Sequence, residues 1–378
     1  MVQLSLSSNI YWKSPRDFCQ ETLLELKKQK VLLIINNSSV MRFSLDKWIN
    51  ELKSCCNLLW LNEISSNPTP ADILRVLQLC SKETPYVIIA IGGGSVIDIA
   101  KICVALFYLR NNEKLTGLDI VKSIEDKEYL QHQASVPIYA VPTTAGTGSE
   151  VTRWATVWDI KKQVKYSVEA PWLQPHRAYI IPEFTRSMPK RLTLSTGLDA
   201  LCQATEAYWA KTSNPMVKEL SKVAIRLLVE YLPKVLSDGD NLYYRKKVCL
   251  GSLFSGLAFS NTRTTACHSI SYPLTMCFGV EHGLACALSL AKVMQINLPL
   301  IEEAGELMDA LGVTSPEELQ LWLDNLTGDI VKLRLSTFGI QEKDIAELVK
   351  LSFTQGRMDN NPVVITPDDV SEILHSLL

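Results

Sequence analysis

Five short, uninterrupted apolar runs punctuate the first 181 residues: VLLII (31–35), NLLW (57–60), YVIIAI (86–91), PIYAV (137–141) and AYII (178–181). Strands covered on both faces read this way, because neither face is left for polar side chains. Helices with clear start signals lie between several of them. Ser14 and Pro15 open SPRDFCQETLLELKKQK, and Thr69 and Pro70 open TPADILRVLQLCSK, as N-cap and first helical residue. In the second, Ile73, Leu74, Leu77 and Cys80 share one face. Strand, helix, strand in that order implies a parallel sheet with covering helices. Residues 110–134 are polar and charged and read as a surface excursion.

Beyond about residue 183 the strand signal fades. Asn214–Pro215, Ser315–Pro316 and Thr366–Pro367 each start a helix, with Glu318 and Asp369 three residues after the last two caps. Val217, Leu220, Val223, Leu227, Tyr231 and Leu232 follow at helical steps. The chain of 378 residues is long enough for two domains. We expect an α/β domain over residues 1–183 and an all-α domain over 184–378, hinged at PEFTRSMPKR.

Charge and cysteine usage narrow the class. With 38 Lys and Arg against 40 Asp and Glu, the chain shows neither a nucleic-acid footprint nor a polybasic membrane anchor. Ten cysteines without a C-x-x-C pair fit a reducing compartment. The N-terminus lacks a secretion signal, and no stretch reaches about 18 apolar residues. The expected location is the cytoplasm.

Four stretches carry chemistry. Gly92, Gly93, Gly94 and Ser95 sit at a strand-to-helix turn, which suits either a phosphate on free backbone N–H groups or tight packing. The G-x-G-x-x-G fingerprint is absent, and the first strand–helix turn has no glycine, so a standard Rossmann reading fails. Thr143, Thr144, Thr147 and Ser149 follow another strand, where open sheets bind ligands, although a Gly/Thr loop with local turns would look the same. Asp199 and Gln203 share one face of a helix, and an inward carboxylate needs a partner or a metal. His268 and His282, two of only five histidines, lie in small and apolar surroundings. They are either structural histidines or, with Asp199, an N/N/O metal set.

Together, GGGSVIDIAK (92–101), PTTAGTGSEVT (142–152), TGLDAL (196–201) and the His268/His282 pair resemble the iron-containing, group III metal-dependent alcohol dehydrogenase family. The resemblance implies an N-terminal dinucleotide-binding domain with a parallel sheet, a helical C-terminal metal-binding domain, and an active-site cleft between them, the architecture shared with dehydroquinate synthase-like proteins. It implies pyrophosphate on Gly93, Gly94 and Ser95, with Asp98, Thr143, Thr144, Thr147 and Ser149 flanking the nucleotide and Lys165 near its ribose. It implies a catalytic metal, Fe(II) or alternatively Zn(II), on Asp199, Gln203, His268 and His282. It also makes a homodimer the expected assembly, with a small aldehyde or alcohol as the partner molecule.

Three departures from the family pattern matter. Gln203 replaces a ligand histidine, Tyr272 replaces a second active-site histidine, and Asn37 stands where many NAD-preferring members place an aspartate. Without a carboxylate there a 2′-phosphate is not repelled, which favours NADPH or dual use of NAD(P)H. VTRWATVWD (151–159) and NTRTTACHSISYPLT (261–275) are similar to the phosphonoacetaldehyde reductase subgroup. In that reading Arg153 and Arg263 meet a dianion, beside Trp154, Thr264 and Tyr272; otherwise the two arginines are surface salt-bridge partners.

The expected activity is metal-dependent, NAD(P)H-linked reduction of a small aldehyde, phosphonoacetaldehyde to 2-hydroxyethylphosphonate in the subgroup reading. The alternatives are propanediol, butanol or 4-hydroxybutyrate-type dehydrogenation, a lyase of the dehydroquinate synthase type, and a non-enzyme whose metal site Gln203 has impaired.

Overall fold

Every apolar run forms a strand, and the reason is visible in where their side chains go. The computed structural model describes residues 8–65, 67–81, 84–159, 162 and 164–378. Residues 1–7, part of the stretch read as lacking a secretion signal, lie outside the described residues. Two compact units emerge, one of residues 8–144 and Ser149–Ser187, the other of Ala145–Gly148 and Met188–Leu378.

In the first unit the order is β1 (Asn9–Trp12), α1 (Pro15–Glu25), β2 (Lys30–Ile34), α2 (Asn37–Phe43), α3 (Asp46–Cys55), β3 (Asn57–Leu61) and α4 (Pro70–Leu79). Then come β4 (Val87–Gly92), α5 (Gly94–Ala105), α6 (Gly117–Glu125), β5 (Ile138–Pro142), β6 (Trp154–Asp159), β7 (Val164–Glu169) and β8 (Arg177–Ile180). Among the described residues six strands form a sheet in the order β1-β8-β5-β4-β2-β3, paired parallel throughout. Ala90 of β4 sits opposite both Ile34 and Ala140.

Alternate residues of the central strands enter two separate cores. Leu32, Ile34, Ile88, Ala90 and Ala140 pack on the side of α4, α5 and α6. Val31, Leu33, Ile89, Ile91 and Val141 pack with Phe18 of α1 and with Trp48, Ile49 and Leu52 of α3. The helices after β2 and β4 therefore cover opposite faces. This makes the carboxyl ends of β2 and β4 the topological switch point, where open sheets hold ligands.

Two parts of this unit differ from the sequence expectation. The stretch expected as a surface excursion contains α6, which buries Ile120, Val121 and Ile124 behind a Thr116–Asp119 capping box. Strands β6 and β7 pair antiparallel, with Trp158 opposite Lys165.

The second unit, among the described residues, is helical: α7 (Lys190–Trp209), α8 (Pro215–Ser237), α9 (Leu242–Thr262), α10 (Ala266–Phe278), α11 (His282–Asn297), α12 (Ala304–Leu311), α13 (Pro316–Thr327), α14 (Ile345–Leu351) and α15 (Pro367–His375). Asn214, Ser315 and Thr366 each cap a helix as expected. The four residues Ala145–Gly148, expected in the first domain, pack here instead, with Gly146 against Thr196 and Gly148 against Gly256 and Phe259. The segment His282–Leu300 is apolar and long enough to cross a membrane by composition, but it is 67% buried within the protein.

Candidate functional site

The sheet unit places its glycine turn at the switch point. Gly92 ends β4, Gly93 caps α5, and Gly94 and Ser95 form the first helical residues. A β-carbon on Gly92 would collide with Val96, so the turn closes only with glycine. The N-terminus of α5, the end of a helix that suits an anion, opens at this turn. Thr143 donates its backbone N–H to the Gly92 carbonyl at 2.9 Å, and the Thr144 side chain lies under Gly93. Asn37 begins α2 at the other side of the switch point and is exposed.

Asp98 works inside the loop. Its carboxylate accepts from the Ser149 hydroxyl at 3.2 Å and the Thr156 backbone at 3.0 Å. Nearby, the fully buried Lys101 donates to Thr152 Oγ1 (3.1 Å) and the Trp154 carbonyl (2.9 Å). Burial lowers the Lys101 ammonium to about 8 despite the nearby Asp98 and Glu150 carboxylates, and burial pushes Glu150 up to about 7. Lys165 lies over the Trp158 ring, its ammonium 5.6 Å from the centroid. Arg153 Nε donates to Glu169 at 3.1 Å, the ion-pair alternative weighed for it. Thr147 falls in the helical unit.

In the helical unit three helices converge on one point. Asp199, Gln203 and Glu206 lie on one face of α7. His268 and Tyr272 come from α10, and His282 is the first residue of α11. His268 Nε2 is 3.3 Å from Asp199 Oδ1, and His282 Nε2 is 3.9 Å from the same oxygen. Cys286, one turn after His282, brings its Sγ to 4.0 Å from His282 Nε2. One donor atom from each of Asp199, His268, His282 and Cys286 lies within 4.8 Å of the others. Gly283 permits this approach, because a β-carbon there would strike the Ser195 carbonyl and come to 2.9 Å from the Asp199 backbone nitrogen.

The donor set fits a divalent ion. Asp199 and His268 are each only 4% exposed, yet Asp199 Oδ1 and His268 Nε2 make no hydrogen bond. Buried polar atoms are nearly always paired, so two orphans facing one another mark a place for a cation. Glu206 sets the imidazole that supplies one of them. Its carboxylate faces His268 Nδ1 and accepts from the His268 backbone (3.2 Å), the Thr265 backbone (3.0 Å) and the Thr265 hydroxyl (2.9 Å). That arrangement fixes the tautomer with Nε2 as the ligating atom.

Charge is strongly coupled here. Burial opposes ionisation of Glu206, but His268 outweighs it and holds the carboxyl below its ordinary range. Burial likewise opposes the Cys286 thiolate, and the two imidazoles outweigh it, bringing the thiol to about 7. His282 is raised, burial being overcome by Cys286 and Asp199. Gln203 is buried, and its Oε1 lies 3.4 Å from Ser255 Oγ.

The Tyr272 ring stacks on His282 at 5.9 Å between centroids, and Arg357 Nε donates to the Tyr272 hydroxyl at 3.4 Å. Arg263 follows α9 with φ 66°, a left-handed conformation unusual for arginine. Its guanidinium passes over Gly356, where a β-carbon would lie 2.6 Å away. Thr264 beside it is buried. Glu206, Cys286 and Arg357 escaped the sequence reading. Glu206 stands seven residues after Asp199 and Cys286 four after His282, so helical spacing could have found both; nothing local pointed to Arg357.

A glycine-turn parallel sheet and a buried carboxylate–imidazole donor set, carried by one chain, are the equipment of a metal-dependent, nucleotide-linked oxidoreductase. Residues 14–182 match the iron-containing alcohol dehydrogenase model and residues 193–378 its C-terminal counterpart. The chain is 30% identical to the NADPH-dependent butanol dehydrogenase of Clostridium saccharobutylicum over 99% of its length and 97% of that protein's. It is 36% identical to the phosphonoacetaldehyde reductase of Streptomyces viridochromogenes over 65% of its own length and 61% of the relative's. The crystal structure of sulfoacetaldehyde reductase from Bifidobacterium kashiwanohense in complex with NAD+ superposes with a TM-score of 0.85 at 26% identity, covering 100% and 98% of the two chains. The chain belongs to the iron-containing alcohol dehydrogenase family, whose members are NAD(P)-dependent oxidoreductases.

Proposed function

We propose that the protein reduces a small aldehyde carrying an anionic head group, phosphonoacetaldehyde in the first instance, to the primary alcohol. The observation that carries the reading is the convergence of Asp199, His268 and His282 with two unpaired buried donor atoms. A divalent ion held by these residues would polarise the carbonyl oxygen as a Lewis acid. A reduced nicotinamide, its pyrophosphate on Gly93, Gly94 and Ser95, would supply the hydride.

The protein's own groups do the rest. Glu206 orients His268, and Asp199 supplies negative charge to the donor set. The Tyr272 hydroxyl, held by Arg357, is placed beside His282 as the proton source for the alkoxide. Arg263 and Arg357 provide the cationic head-group contacts, as arginine suits bidentate phosphonate binding. Arg153 has its Nε engaged by Glu169, which leaves its terminal N–H groups for a supporting role. The names of the phosphonoacetaldehyde and sulfoacetaldehyde reductases support an anionic two-carbon aldehyde.

The butanol dehydrogenase likeness favours a second reading, a neutral short-chain aldehyde. An aldehyde panel with NADH and NADPH, after Fe(II) or Zn(II) loading, separates them. We expect phosphonoacetaldehyde to exceed butyraldehyde by at least about tenfold in kcat/KM, one decade corresponding to about 1.4 kcal/mol. The Arg357→Ala variant should erase that preference, and a neutral aldehyde preferred by the wild type would refute the reading. Asn37 in place of a carboxylate favours NADPH or dual use, so Asn37→Asp should raise the KM for NADPH against that for NADH.

The cytoplasmic location and the homodimer belong to the same proposal. Sedimentation of the purified protein tests the second.

A further inference from the structure

We propose that Cys286 is the fourth protein donor of the metal centre, a thiolate that stands in for the imidazole Gln203 does not provide. The inference rests on the metal reading above and extends it to this chain's own donor chemistry. Four observations carry it. Cys286 is completely buried, so its sulfur faces no solvent. It stands one turn after His282 on α11, which puts both side chains on one face of that helix. Its sulfur lies within 4.8 Å of the donor atoms of Asp199, His268 and His282, and 4.0 Å from His282 Nε2. Two of those donors, Asp199 Oδ1 and His268 Nε2, are unpaired atoms on side chains more than nine-tenths buried.

Gln203 is the competing fourth ligand, and its Oε1 lies 3.4 Å from Ser255 Oγ. A carboxamide would ligate through its oxygen, a neutral donor that adds no charge to the set, whereas a thiolate adds one. Ser255 gives its one hydroxyl proton to the Ala200 carbonyl at 2.7 Å, so the choice between Gln203 and Cys286 falls to the variants below.

The substitution changes the chemistry of the site. A bound thiol gives up its proton, so the donor set becomes one carboxylate, two neutral imidazoles and one thiolate. Its formal charge of −2 balances a divalent ion. Tetrahedral donors about 2.0–2.3 Å from a metal stand roughly 3.3–3.7 Å apart; the His268–Asp199 separation of 3.3 Å is already in that range, and those of His282 to Asp199 (3.9 Å) and to Cys286 (4.0 Å) lie a few tenths of an ångström above it. Softer sulfur moves preference from Fe(II) towards Zn(II) and Co(II). Cys202 and Cys267 are also buried, but neither belongs to the converging set.

Cobalt tests this directly. The apo-protein is loaded with Co(II), bound metal is counted by atomic emission, and the absorption spectrum is recorded. The same is done for Cys286→Ser, Cys202→Ala and Gln203→Ala, each checked for folding by circular dichroism. The proposal expects a sulfur-to-cobalt charge-transfer band in the near ultraviolet of the wild type. That band should survive in Cys202→Ala and Gln203→Ala and vanish in Cys286→Ser, which still binds cobalt but at least about tenfold more weakly. Stoichiometric cobalt without the band, or with a band that survives Cys286→Ser, overturns the proposal and leaves the three-residue metal site standing. A wild type that binds no cobalt, or binds it equally well after His268→Ala, overturns the underlying metal reading together with it.

Discussion

Glu206 shows how much of the site is held by a residue that would never touch substrate. Its two carboxylate oxygens meet two backbone N–H groups, one hydroxyl and one imidazole, all buried. Glu206→Gln replaces one acceptor with a donor and removes the charge facing His268. We expect a 10–100-fold loss of metal affinity, read by competition with a chelator, on the scale of outer-shell substitutions. Unchanged affinity would mean that His268 is oriented by packing alone. Gly283 makes a second residue-scale case. Gly283→Ala drives a methyl group into the backbone of α7 and should cost about 1–3 kcal/mol of stability, seen as a lowered melting temperature. In both positions sequence supplied the neighbourhood and not the role. Asp199, His268 and His282 stood out as polar groups in apolar company, whereas Cys286, one more small residue in an apolar helix, did not.

At the scale of elements, legibility followed burial. Strands β2, β4, β5 and β8 are buried along most of their length and β3 in part, so each was readable as an apolar run, whereas β1, with Ile10 and Trp12 exposed at the sheet edge, was not. In β6, Trp154, Thr156 and Trp158 alternate with buried Ala155 and Val157, and in β7 Lys165 and Ser167 alternate with buried Tyr166 and Val168; that half-exposed pattern does not stand out. Helix α6 carried a usable signal, Thr116 with Asp119, inside a stretch whose charge drew the eye to solvent. The same device at α4 gives a pH prediction. Burial alone would raise the Asp72 carboxyl, but Thr69 and Arg75 outweigh it and hold it below its ordinary value. Its stabilisation is complete above the unfolded value near pH 4 and is lost as pH falls through the lower folded value. Thr69→Ala should therefore cost about 1 kcal/mol at neutral pH, and the gap from wild type should narrow on acidification. Urea midpoints measured across that range check it, and a gap that widens in acid would contradict the assignment.

For the whole molecule, ligands act as stability terms. An ion present at a thousand times its dissociation constant adds about 4 kcal/mol to whatever state binds it. Stripping the metal with a chelator should lower the calorimetric transition that carries α7, α10 and α11, and Zn(II) should restore it. A trace indifferent to chelator and metal would count against a centre on those helices. With two units in one chain, unfolding need not be a single two-state step, so chelated and Zn(II)-loaded samples are compared transition by transition.

The excursion of Ala145–Gly148 bears on anyone wishing to dissect this chain. Four residues leave the sheet half, nestle among Thr196, Gly256 and Phe259, and return. Cutting the gene at position 188 would strand that plug on the wrong fragment and leave its socket in the helical piece bare. A severed helical half is expected to be an incomplete object, rescued by supplying the missing tetrapeptide through a redesigned linker rather than by moving the cut.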